Sequence, residues 1–264
     1  MRPSYTAVAG ICLSCACPAC HLAGRANVQL PATMSRSFAS LITAACAFTA
    51  ALASAADQPG EWQVLFDGKE TKGLRAFKGE GFPSKGWIND NGALKTVPRE
   101  AGGQVTDLIT VEKFKDFELE LEWKVAPGGN SGVMYRVAEL DKGPAWWTGP
   151  EMQILDDSKH PDGKNPLTSA GALYGLIAPN EQRKVKPVGE FNAAKIVFKN
   201  NKVEHWLNGA KIVEYTWGSD EVKALAAKSK FADKPRFMAE PEGHVTFQHH
   251  GQEFWIRNIR IRRL

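Results

Sequence analysis

Phe117-Glu118-Leu119-Glu120-Leu121-Glu122-Trp123-Lys124-Val125 alternates without a fault, five apolar positions against four charged ones. Side chains of an extended strand point to opposite faces in turn, so this segment buries one face and wets the other. That is the pattern of a strand in an antiparallel sheet with a core on one side only. Further strands are read on both sides of it. Residues 203–207 and 211–215 flank Asn208-Gly209, a pair suited to the positive φ angles of a tight hairpin. Residues 87–89 and 93–97 surround Asp90-Asn91-Gly92, a second hairpin, and residues 194–199, 245–249 and 253–262 add three more strands. One helix is expected, capped by Ser219, with Asp220-Glu221 in its first turn and Lys228 at its end. Many short strands, Gly and Asn turns and one minor helix predict an all-β fold, an antiparallel β-sandwich.

The first 56 of the 264 residues differ in kind from the rest. They hold no Asp, Glu or Lys, three Arg, and all five cysteines, Cys12, Cys15, Cys17, Cys20 and Cys46. From Met34 the pattern is that of a secretory signal: Arg36, a mostly apolar run over 38–52, then the small residues Ala53-Ser54-Ala55. Cleavage is expected after Ala55 or Ala56, with Met34 as the true start and residues 57–264 as a single exported catalytic domain, periplasmic or extracellular. A membrane span would need about 18 or more uninterrupted apolar residues, which this run does not offer. Cys17-Pro18-Ala19-Cys20-His21 has the spacing of covalent haem attachment, but it lies upstream of the export signal, so no haem is expected. The mature chain has no cysteine and therefore neither disulfides nor thiol chemistry.

Setting aside those three arginines leaves 30 basic residues against 29 acidic ones, a balance that points to neither nucleic acid nor an anionic membrane. The arginines at 257, 260, 262 and 263 are read as the solvated face of a last strand. No glycine-rich phosphate loop is present, so no nucleotide cofactor is expected.

Polar chemistry is concentrated in a few segments. In Gly149-Pro150-Glu151-Met152-Gln153-Ile154-Leu155-Asp156-Asp157, burying Met152 and Ile154 leaves Glu151 and Gln153 side by side on the other face. In Gly128-Gly129-Asn130-Ser131-Gly132-Val133-Met134-Tyr135-Arg136, regular alternation puts Asn130 and Arg136 on one side. Gln248 and His250 share a face, whereas His249 goes with Val245 and Phe247 and is expected to be structural. His205 alternates with Val203 and Leu207 and reads as a core histidine. Tyr174 lies among glycines that allow a close approach. Trp146-Trp147, in a Gly/Pro loop, serves either the core or the stacking of sugar rings. His160 and Asp162, in the polar loop 158–169, are candidates for holding a ligand or metal. The spacing Glu151-x-Gln153-x-x-Asp156 is similar to the Glu-x-Asp-x-x-Glu strand of laminarinase-type β-glucanases, whose two carboxylates stand about 5–5.5 Å apart. Here the middle acid is an amide and the last is a shorter Asp.

Residues 62–68 (Trp-Gln-Val-Leu-Phe-Asp-Gly), Asn130-Ser131-Gly132-Val133, Glu151 through Asp156, Gly171-Ala172-Leu173-Tyr174-Gly175, Gly189-Glu190-Phe191-Asn192, Asn208-Gly209 and Gln248 through Ile259 stand in this order. Together they resemble the 3-keto-disaccharide hydrolase family, over nearly all of residues 58–264. Phe191 stands where that family usually has Trp, and His249 where it usually has Asp. The resemblance implies a concanavalin A-like (jelly-roll) sandwich acting on sugars already oxidised to a ketone at carbon 3. It implies Glu151 or His250 as a base, Arg136 as the partner of an enolate oxygen, and Asn130, Gln153, Asp156, Tyr174, Gln248, Trp146 and Trp147 as sugar-binding groups. Whether the site takes a metal is left open; for a divalent cation chelated by the sugar ketone, Glu151 and His250 would be the candidate ligands. A non-catalytic carbohydrate-binding module and a conventional glucanase stay open as alternatives.

Overall fold

The computed structural model describes residues 59–264; the expected export signal and the cysteine cluster lie outside the described residues. Thirteen strands form two antiparallel sheets. The larger contains β1 (Gln63–Phe66), β3 (Trp87–Asp90), β4 (Ala93–Thr96), β6 (Phe117–Val125), β9 (Asn192–Lys199), β10 (Lys202–Leu207), β11 (Ala210–Thr216) and β13 (Phe254–Arg263). Its order is β11-β10-β9-β6-β13-β4-β3, with β1 pairing the later part of β13. The smaller has the order β2-β5-β12-β7-β8, formed by β2 (Leu74–Ala76), β5 (Leu108–Thr110), β7 (Asn130–Val137), β8 (Glu151–Leu155) and β12 (His244–Phe247).

The alternating nonapeptide is β6, at the centre of the larger sheet. Phe117, Leu119, Leu121, Trp123 and Val125 are at most 3% exposed, and each such burial contributes about 1.5–3 kcal/mol. Opposite them, Val133, Tyr135, Met152 and Ile154 of the smaller sheet enter the same core. The Tyr135 ring meets Phe117 and Phe198 of the larger sheet edge-on. On the outer face, Glu118, Glu120 and Glu122 pair with Arg262, Arg260 and Arg257 of the neighbouring β13. These arginines thus line the wet face of a last strand, as expected, with a bulge between Arg257 and Arg260 keeping both on it.

Local signals hold where the chain makes its own turn. Asn208 and Gly209 have φ of 49° and 85°, and Asn91 and Gly92 have 52° and 82°, the left-handed pairs that close two-residue hairpins. The α-helix, α1 (Asp220–Ala227), is capped by Ser219, whose hydroxyl accepts the Val222 amide proton. Among the described residues no helix is long and apolar enough to cross a membrane. The strand expected over 245–249 ends sooner: β12 stops at Phe247.

Candidate active site

β8 is followed by a segment that continues its sheet. The Gln153 amide donates to the Ala172 carbonyl, Gly171 donates to Gln153, and Tyr174 donates to the Glu151 carbonyl at 3.0 Å. Met152 and Ile154 fill the core, so Glu151 and Gln153 project from the outward face, between β7 and this edge segment. The decisive neighbour of Glu151 is Gly132, on β7. A Cβ added there would stand 1.7 Å from Glu151 Oε1. The carboxyl group therefore lies across the strand in the space a side chain would otherwise fill. The Gln248 backbone N–H donates to the Gly132 carbonyl at 2.9 Å, so its main chain runs beside the same strand. Glu151 is 7% exposed, and among the described residues its carboxyl oxygens meet no hydrogen-bond partner.

Four titratable groups surround it. Asp107, just before β5, accepts the His249 amide proton at 2.8 Å. The Tyr174 hydroxyl donates to Asp162 at 3.2 Å. Lys230 Nζ lies 4.0 Å from the Tyr174 ring centroid and 5.0 Å from that of Trp146. Burial raises the Glu151 pKa to about 8; Lys230 opposes the rise, and the charges of Asp107 and Asp162 add to it. Burial also raises Asp107 to about 6, against the His249 hydrogen bond, and Tyr174 to about 12. Lys230 is exposed as a residue, yet desolvation of its ammonium among these rings lowers its pKa against the pull of Glu151 and Asp162. Two carboxyl groups raised by burial to different extents, with the charge of one reaching the other, form an arrangement suited to proton transfer near neutral pH.

A second cluster adjoins the first. His160 Nδ1 accepts the Asp162 amide proton at 3.2 Å, so Nε2 carries the hydrogen of the neutral ring. That nitrogen lies 3.4 Å from the Asn130 side-chain amide and donates there when the amide presents its oxygen. Gln153 meets the other end of the same amide at 3.4 Å. Glu151, Gln153, Asn130 and Tyr174 are thus brought together, His160 and Asp162 join them, and Gln248 adjoins through its backbone. Trp146 reaches the group through Lys230. Trp147 packs edge-on against Trp146 and over Gly143, where an added Cβ would come within 2.1 Å of its ring.

Three expectations are corrected. Arg136 does not face the hollow. β7 carries an extra residue where it pairs β12, and Arg136 has φ of 49°, so a bulge breaks the alternation. Its guanidinium lies 3.7 Å from the Phe198 ring centroid and donates to the Lys115 and Glu240 carbonyls, at the inner side of the sandwich. Asp156 is a structural ligand of turns: it accepts the Gly128 amide proton at 2.7 Å and those of Ser158. Burial would raise its pKa, but these hydrogen bonds outweigh burial and lower it. With Asp156 so engaged, the strand offers Glu151 no second carboxylate in the glucanase manner. His250 is exposed on the turn before β13, with Gln252 as its side-chain partner, and nothing joins it to Glu151. Among the described residues no three His, Cys, Asp or Glu side chains gather as a metal-holding group, and the two candidate ligands Glu151 and His250 are not linked by any contact among them.

The histidines read as structural are so. His249 donates from Nε2 to the Val97 carbonyl and accepts the Gly251 amide proton at Nδ1. His205 donates to the Gly171 carbonyl and accepts from the Tyr135 hydroxyl. Asp107 and Lys230 were not singled out by sequence. An acid placed just before the strand Leu108–Thr110 is a usable, weak signal for the first; nothing local marks the second. A cleft of about 710 Å³ lies elsewhere, on the outward face of the larger sheet beside Trp206 and Lys195. Its charges are mutually satisfied, Glu120 with Arg260, Glu122 with Arg257 and Lys195 with Glu118, so the chemistry favours the hollow at Glu151.

Comparison with known proteins gives the chain a family and a fold. Residues 61–262 match the model of the 3-keto-alpha-glucoside-1,2-lyase-like domain. A 3-keto-disaccharide hydrolase of Bacteroides thetaiotaomicron is 36% identical over 225 residues, covering 75% of this chain and 77% of the relative. A crystal structure of a candidate glycosyl hydrolase from Parabacteroides distasonis superposes with a TM-score of 0.70 at 31% identity, over 78% of this chain and 94% of that one. A second from the same organism gives 0.58 at 28% identity, over 77% and 100%.

Proposed function

The chain belongs to the 3-keto-alpha-glucoside-1,2-lyase-like family, and on that premise we propose that it is a glycosidase-like enzyme cleaving 3-keto-glycosides by elimination and hydration. The observation that carries this reading is the Glu151 carboxyl group, sheltered over Gly132 without a hydrogen-bond partner among the described residues and with its pKa raised to about 8. A ketone at carbon 3 acidifies the hydrogen at carbon 2, so a carboxylate of raised basicity suffices to take it. The electrons of the broken C2–H bond form the enolate. As the ketone re-forms, they make a C1–C2 double bond and expel the glycosidic oxygen, which leaves as an alcohol after accepting a proton. Water then adds at carbon 1, and a proton returns to carbon 2. The net result is hydrolysis without a carboxylate nucleophile, which suits a strand whose other acid, Asp156, is tied into turns.

Gln153 and Asn130, beside Glu151, supply amide donors and acceptors for sugar hydroxyls; Tyr174 and Trp146 wall the same group, with Lys230 over their rings. Asp107, ionising near pH 6, carries its charge while Glu151 still holds its proton, the two together covering both proton states. We further propose that residues 34–56 direct export, in which case intact mass of secreted protein places the mature N-terminus at Ala56 or Asp57.

The test is turnover of a 3-keto-glucoside beside its unoxidised parent by the purified chain. Cleavage of the oxidised sugar alone is expected. Cleavage of the parent alone would make the protein a conventional glucanase, and binding without turnover a carbohydrate-binding module.

A further inference from the structure

An enolate formed in the hollow places negative charge on the carbon 3 oxygen, and the group expected to meet it, Arg136, is turned into the sandwich by the β7 bulge. The cation that does stand at the hollow is Lys230. Its place in the chain is fixed: the Ser229 hydroxyl accepts the Phe231 amide proton at 3.1 Å, and the buried Phe231 ring stacks on Phe237 with centroids 3.9 Å apart. Between those anchors the Lys230 side chain runs over Tyr174, whose backbone amide is bonded to the Glu151 carbonyl. Groups facing it are Glu151 from β8, Asp162 from the 3-10 turn Pro161–Lys164, and the rings of Tyr174, Trp146 and Phe231. Asp107 acts on Glu151 from the far side, and Lys234 lies beyond, over Trp146 and Trp147.

Lys234, its neighbour over the Trp146 ring, has Asp233 as an ion-pair partner; among the described residues Lys230 has no carboxylate within 4.0 Å. Its ammonium lies instead over the Tyr174 and Trp146 rings, beside a Glu151 carboxyl group that is itself without a hydrogen-bond partner among the described residues. A ligand seated between Glu151 and Lys230 would have a carboxyl group at one end and an ammonium donor at the other.

We propose that Lys230 is the electrostatic partner of the carbon 3 oxygen, stabilising the enolate while Glu151 holds the carbon 2 proton. This rests on the reading of the protein as a 3-keto-glycoside-cleaving enzyme. No covalent bond to Lys230 is formed: the C–H pair moves to oxygen, is held there by the ammonium and returns as the glycosidic bond breaks. A preorganised charge at such an oxyanion is worth about 10²–10³-fold in rate.

Full-length wild type, Lys230→Met, Lys230→Arg and Glu151→Gln are compared on a 3-keto-glucoside. Lys230→Met is expected to lose about 10²–10³-fold in kcat, with KM little changed, and Lys230→Arg to recover at least tenfold of that loss. The acid limb of the kcat/KM profile should move to higher pH in Lys230→Met, because Glu151 loses the cation that favours its ionised form. Carbon-13 NMR of labelled glutamate gives the same shift in the Glu151 titration without any turnover. A Lys230→Met variant within threefold of wild type overturns the inference, as does a loss of rate with neither titration displaced. Borohydride trapping of substrate on Lys230 would also overturn it, in favour of a covalent imine. If Glu151→Gln is inactive while Lys230→Met is not, only the role of Lys230 fails. If wild type does not cleave the oxidised sugar, the functional reading and this inference fall together.

Discussion

At the scale of single residues, the site turns on a carboxyl group placed where its charge is costly. The Glu151 pKa is raised in the folded state, so its protonated form is the one that folding favours. Its contribution to stability is complete below the unfolded carboxyl pKa, near 4.5, and is lost as pH rises through about 8. Glu151→Gln should therefore leave the melting temperature unchanged at pH 4 and raise it above pH 8, while removing about 10²–10⁴-fold of activity. Differential scanning calorimetry against pH reads the first effect. Gly132→Ala forces the carboxyl aside, since the new methyl would sit 1.7 Å from its oxygen; the expected result is a large loss of kcat with little further loss when combined with Glu151→Gln. Additive losses in the double variant would show that Gly132 acts on something else. Arg136→Met separates core from chemistry: stability should drop by about 1–3 kcal/mol for the carbonyls left unpaired, yet activity per folded molecule should stay within threefold. Glu151, Gln153 and Asn130 were legible because each lies on a locally regular strand. Arg136 was misplaced because one extra residue in β7 reverses the faces beyond it.

At the scale of elements, alternation and turn chemistry wrote most of the sandwich. β6 obeys period two without exception, and its outer carboxylates meet β13 arginines in register, Glu122 with Arg257, Glu120 with Arg260 and Glu118 with Arg262. These pairs are part-exposed: Glu120 is 32% accessible at its side chain and Arg260 48%. Their Coulomb energy is screened, so removing one pair should cost no more than about 1 kcal/mol. Urea unfolding of Glu120→Ala, Arg260→Ala and the double variant measures the coupling; a value above about 2 kcal/mol would mean the ladder is far better shielded than its accessibility implies. The same ladder gives Arg257, Arg260 and Arg262 carboxylate partners within their own sheet. Less was legible at strand ends. β12 stops at Phe247 because His249 turns inward to reach the Val97 carbonyl, a contact with a residue far away in sequence.

At the scale of the whole molecule, the two sheets are joined by more than hydrocarbon. Tyr135 of β7 shares its hydroxyl with His205 of β10 and Tyr215 of β11, at 2.8 Å to each, and His205 reaches the Gly171 carbonyl beside the site. Burial lowers the His205 pKa to about 4. This neutral histidine stabilises the fold fully above its unfolded pKa near 6.5, and the contribution is lost as pH falls through about 4. Tyr135→Phe strands two buried polar groups and should cost about 1–3 kcal/mol at neutral pH, read by chemical denaturation at pH 7; an unchanged midpoint would show that the relay is dispensable. The sequence alone determined most of the sheet-forming segments, though not the short β1, β2 and β5, the hairpin turns and the polar strand carrying Glu151, because those depend on periodicity and on backbone angles that a few neighbouring residues dictate. Tertiary structure alone decided that Arg136 faces inward, that Asp156 is spent on turns, and that Asp107 and Lys230 stand beside Glu151. Those outcomes arise from a bulge in strand pairing and from loops distant in the chain meeting on one face, and neither leaves a periodic trace in the residues themselves.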